Sequence, residues 1–93
     1  MRATSIVPRT ELAYDESLAR GLRRARLAAG YGLREAAAKL DLNLTSLWRI
    51  ERSEIAPKME TLLAMVRVYG ANVNIGPDGV MLTWLEEPNE EDA

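Results

Sequence analysis

Four side chains near the middle of the chain have the types and spacing to recognise another molecule: Thr45, Trp48, Arg49 and Arg52. A threonine hydroxyl can donate and accept a hydrogen bond, and an arginine presents several donors in a rigid fork. The sequence offers little else that could do chemistry. It has no cysteine and no histidine, which removes disulfides, thiolates, the usual zinc ligands and every histidine-based catalytic arrangement. Neither a nucleophile–base pair nor a metal constellation is visible, so we expect no enzyme and no cofactor.

The elements that must position those side chains lie around residues 36–51, AAAKLDLNLTSLWRIE. This stretch reads as a short helix, a tight turn and a second helix. Ala37 is small where two helices would cross closely, and Leu40 carries the apolar face into the turn. Asp41 sits at the reversal, and aspartate tolerates the left-handed conformation. Asn43 stands as an N-cap whose side-chain oxygen accepts from the amide of Thr45 or Ser46. Leu47 and Ile50 bury one side of the second helix, leaving Thr45, Trp48, Arg49 and Arg52 on the others. This is a helix-turn-helix layout, in which the second helix can enter a DNA major groove.

Length and composition set the frame. Ninety-three residues make one domain near the low end for burying its own core, so a dimer would help stability. A chain that is 47% hydrophobic, with no phenylalanine and much Ala and Leu, favours a small helical bundle. No run approaches the roughly 20 apolar residues of a membrane span, and no signal-peptide hydrophobic region is present. A cytoplasmic location away from membranes is the expectation. The net charge of −2 is unevenly spread: residues 20–58 hold nine Lys/Arg against four acids, net +5, and residues 59–93 one Arg against seven acids, net −6. A basic half beside an acidic half lets an acidic protein hold phosphates.

In chain order, residues 1–14 read as an N-terminal arm with a short extended piece at 5–7. Residues 15–70 carry the helical unit. Its first helix spans 15–29, capped by Asp15 or Ser17, with Leu18, Leu22, Ala25 and Ala29 as the apolar stripe and Gly30 as the stop. Tyr31 reads as a core anchor. Helices at 32–40 and 43–53 follow. Pro57 then precedes a helix at 58–69 whose Met59, Leu62, Leu63, Val66 and Tyr69 form an apolar face closed by Gly70. From 71 to 86 the period changes to two: strands at 72–75 and 80–85 flank a Gly76-Pro77-Asp78-Gly79 turn. Two strands alone are marginal in water, so this hairpin must pack on the helices, pair with a second copy, or both. Residues 87–93 read as an acidic disordered tail.

With these residues in view, the chain resembles the Cro/Xre-type helix-turn-helix family of phage and bacterial repressors. The likeness rests on the arginine-rich first helix ending in Gly30, on Ala37, Lys39 and Leu40, on Leu47, on Arg49-Ile50-Glu51-Arg52, on Pro57, and on Glu60-Thr61-Leu62-Leu63. It implies a mainly α fold, a lambda-repressor-like bundle with a helix-turn-helix, and a symmetric dimer on a palindromic operator. The C-terminal strands resemble those of HipB-like antitoxins, in which strands from two subunits build a shared sheet; on that basis the hairpin is a dimerisation element. Departures from the family are Leu33 and Leu44 where Gln or Gln/Arg are frequent, Trp48 where a small polar residue is common, and Ser53 where glycine is frequent.

Carried onto this chain, the base-side candidates are Leu44, Thr45, Trp48 and Arg49. Thr45 and Leu44 can touch a thymine methyl, and Arg49 can pair bidentately with guanine. Phosphate candidates are Arg23, Arg26, Arg34, Asn43, Arg52 and Lys58. Arg49 could instead form a surface ion pair, Trp48 could pack on the arm or hairpin, and Glu51 reads as structural, bonding back to the first helix or to the loop near Arg26. Val73, Ile75, Val80, Leu82 and Trp84 are the dimer-interface candidates. The expected function is a dimeric, sequence-specific DNA-binding repressor with double-stranded DNA as partner. Alternatives are an antitoxin that also binds a toxin, or a protein-interaction module whose Leu33, Leu44 and Trp48 face another regulator.

Overall fold

The computed structural model describes residues 2–7, 16–76 and 79–86, with backbone alone in the first strand and at residues 76, 79 and 86. The expected cap at Asp15, the rest of the arm, the turn at Pro77-Asp78 and the acidic tail lie outside the described residues. The order is β1 (Arg2–Val7), α1 (Glu16–Ala28), α2 (Leu33–Leu40), α3 (Leu44–Glu51), α4 (Met59–Tyr69), β2 (Asn72–Gly76) and β3 (Gly79–Glu86). Four helices and a C-terminal hairpin thus fall within two residues of the expected boundaries. Ser17 lies inside the first turn of α1 rather than capping it.

The helices form because each carries one apolar face to bury. Leu18, Leu22 and Ala25 of α1, Ala36 and Ala37 of α2, Leu47 and Ile50 of α3, and Leu62, Met65, Val66 and Tyr69 of α4 meet in a single core. Leu22, Leu47, Met65 and Leu82 are its largest fully buried side chains. Ala37 is buried beside Leu47, as a close helix crossing requires.

All four helices stop in the same way. A left-handed residue follows each: Gly30 (φ 88°), Asp41 (φ 55°), Ser53 (φ 61°) and Gly70 (φ 68°). Behind each, the next amide reaches back five residues to a carbonyl: Tyr31 to Arg26, Leu42 to Ala37, Glu54 to Arg49 and Ala71 to Val66, at 2.9–3.2 Å. The left-handed amide itself bonds one carbonyl further on in each case. This is the Schellman arrangement, which satisfies carbonyls that the helix end would otherwise leave orphaned.

The strands form one antiparallel sheet in the order β1-β3-β2. Part of the segment expected as an arm is therefore a strand, longer than the 5–7 piece, with Val7 opposite Leu82 and Arg2 opposite Glu86. On the other side of β3, Val73 faces Leu82 and Ile75 faces Val80. Alternation along β3 sends Val80, Leu82 and Trp84 inward, where all three are buried, while Met81 and Leu85 are exposed. The sheet packs chiefly on α1, and the hairpin folds back on its own helices.

Candidate nucleic-acid interface

Three devices fix α3. Its buried side chains Leu47 and Ile50 hold it to the core. At its start, Asn43 is extended and its side-chain oxygen accepts from the Thr45 amide at 2.8 Å, the cap expected from the sequence. At its end, both carboxylate oxygens of Glu51 accept from Arg26 of α1, at 2.7 and 2.9 Å, and Arg26 donates a third bond to the Tyr31 carbonyl at 2.9 Å. The α2–α3 turn is fixed by left-handed Asp41, so the two helices meet at one geometry.

With Leu47 and Ile50 inward, the period of 3.6 turns residues 45, 48, 49 and 52 outward as one stripe. All four are exposed, and Trp48 retains 44% of its surface to solvent. The Trp48 ring is not loose. The Arg52 guanidinium lies 4.5 Å from its centroid, and Arg52 in turn donates to Glu54 at 2.8 Å. Leu33 and Leu44, by contrast, are half-buried and pack against the core.

The cations divide into two sets. Arg20 pairs with Glu16 at 3.5 Å, Arg52 with Glu54, and Arg26 with Glu51. Arg23, Arg34, Arg49 and Lys58 are exposed and have no ion-pair partner among the described residues. Arg49 therefore makes no surface ion pair there. Arg26, expected among the phosphate contacts, is the correction: its side chain is 7% exposed and each of its three nitrogens donates a hydrogen bond inside the protein. Its signal was available, because Arg26 follows Leu22 by one helical turn and so lies on the buried stripe.

Behind the interface, Tyr69 places a buried hydroxyl near this ion pair with no hydrogen-bond partner among the described residues. Burial pushes its pKa well above the ordinary tyrosine value, and the Glu51 charge adds to the shift. The hydrogen bonds that Arg26 donates to Glu51 raise the Arg26 pKa, against the opposing effect of burial. Both groups therefore hold one protonation state throughout the physiological range.

Of the residues expected at a dimer interface, Val80, Leu82 and Trp84 are buried within the chain's own core, Val73 is half-buried and Ile75 is exposed. Among the described residues there is no cluster of three metal-ligating side chains, and no helix is long and apolar enough to cross a membrane. A family model described as "Helix-turn-helix domain" matches residues 17–74. No curated protein and no solved structure matches the chain.

Proposed function

The chain belongs to the helix-turn-helix domain family, and from that premise we propose that it is a sequence-specific transcriptional regulator. It acts as a dimeric repressor, laying α3 in the major groove of a palindromic operator and occluding a promoter. The observation that carries this reading is the outward stripe of α3, which exposes Thr45 and Arg49, together with Arg23, Arg34 and Lys58, all four cations exposed and without an ion-pair partner among the described residues. Cations that no described acid neutralises are suited to phosphates and a base edge.

Thr45 and Arg49 are the hydrogen-bonding readers, and Arg23, Arg34, Asn43 and Lys58 fix the register on the backbone. Dimerisation is supported by the outer face of the sheet, which exposes Met81 and Leu85, and by the exposed Ile75. The inner residues are already engaged. The packing of half-buried Leu33 and Leu44 against the core weighs against an interaction-only module, since it takes part of their apolar surface away from a partner.

The test is binding of the purified protein to DNA from its own upstream region across a salt series. A specific complex that weakens steeply with salt and is lost in Arg49→Ala supports the repressor. Absence of a specific complex at low salt overturns it and turns the search to a protein partner such as a toxin.

A further inference from the structure

We infer that Trp48 is a specificity-determining residue that reads the 5-methyl group of thymine, held in position for this by Arg52 and Glu54. The inference rests on the DNA-binding reading above. Eight large apolar side chains are exposed among the described residues, and Trp48 is the one on the outward stripe of α3. Its neighbours on that stripe, Thr45 and Arg49, are hydrogen-bonding groups. A major groove displays one apolar group, the thymine methyl, amid a pattern of donors and acceptors. An indole offers a single N–H and no acceptor, so its recognition value there lies in its apolar edge.

What sets Trp48 apart from an incidental surface tryptophan is the clamp. Arg52 stacks 4.5 Å from the ring centroid and is tied to Glu54 at 2.8 Å. The stack favours one ring position before any ligand arrives, which lowers the conformational freedom lost on binding. Arg52 is thereby a positioning residue. The occupant is duplex DNA because the exposed cations of the helical unit, Arg49 next to Trp48 in sequence with Arg23, Arg34 and Lys58, have no ion-pair partner among the described residues and are complementary to a polyanion.

The experiment enriches random-sequence duplexes on the purified full chain, then replaces each thymine of the enriched site in turn by deoxyuridine, which pairs alike but lacks the methyl. At least one thymine per half-site should lose about fourfold in affinity, the value of one buried methyl-sized group. Trp48→Ala should bind more weakly and no longer distinguish the two bases; Trp48→Phe should retain part of the distinction. Arg52→Ala should reduce the methyl effect while leaving the salt slope unchanged, whereas loss of a phosphate contact lowers that slope by about one. Circular dichroism confirms folding of each variant. An enriched site indifferent to every methyl, or a methyl effect undiminished in Trp48→Ala, overturns this inference alone. Failure to enrich any site overturns the DNA-binding reading and this inference with it.

Discussion

Arg26 and Glu51 bind α1 to α3 through two parallel hydrogen bonds of 2.7 and 2.9 Å, with both side chains nearly excluded from solvent. Breaking one half of such a pair strands a charge in the core, which costs about 3–5 kcal/mol. We expect Glu51→Ala to lose that much in urea unfolding. The paired replacement Arg26→Met with Glu51→Leu should recover most of it, because no charge is then left behind. A single-variant loss below about 1 kcal/mol would contradict the buried pair.

Ser53 occupies a left-handed position (φ 61°) at the end of α3, where Gly30 and Gly70 serve for α1 and α4. The left-handed conformation costs an L-residue roughly 1–2 kcal/mol, part of which glycine returns through its freer unfolded chain. Ser53→Gly should therefore stabilise the protein by about 0.5–1 kcal/mol and raise its thermal midpoint. Asp41→Gly should gain less, since aspartate tolerates this conformation better. A lowered midpoint for Ser53→Gly would show that the serine makes a compensating contact.

Tyr69 should make the protein sensitive to alkali. Its folded-state pKa is raised, so the neutral phenol is favoured in the fold. Its contribution to stability is complete below the unfolded tyrosine value of about 10 and is lost as pH rises from there toward the folded value. Tyr69→Phe should match the parent near neutrality, because the hydroxyl has no partner to lose. Above about pH 10 the variant should hold its thermal midpoint better than the parent; parallel decline of the two would refute the assignment.

Arg49 and Lys58 should fail differently in DNA binding. Arg49→Ala is expected to cost about 1–3 kcal/mol on the specific site and to relax preference at one base pair. Lys58→Ala should weaken all sequences alike and reduce the salt slope by about one. Competition titrations at several salt concentrations separate the two. Equal behaviour of the variants would remove Arg49 from base recognition.

What was legible in the sequence was local. Asn43 as a cap, Asp41 as a left-handed stop, and Leu47 with Ile50 as the inner side of α3 all follow from neighbours within a turn of helix, and the structure agrees at each. Glu51 bonding back to Arg26 was within reach because both lie on predictable helix faces. Arg26 itself was harder, since a run of four arginines in α1 looks uniformly basic until the buried stripe is drawn through it. The strand at Arg2–Val7 was beyond local reading. Its partner lies at the far end of the chain, and its pairing with β3 shifts register between Ala3 and Ser5. The Trp48–Arg52–Glu54 stack likewise depends on a turn after α3 that no periodicity describes.

The pairing of Arg2 with Glu86 has a consequence for how the protein is made. The four helices are complete at Tyr69, and their contacts are short in sequence, so the bundle can assemble while synthesis continues. Although β1 is translated before the helices, it must wait for β3 to emerge before the sheet can close. Until then the inner face of the bundle that β3 covers, lined by α1, stays open. During synthesis the chain is thus a helical domain whose β1 stays unpaired until β3 has emerged.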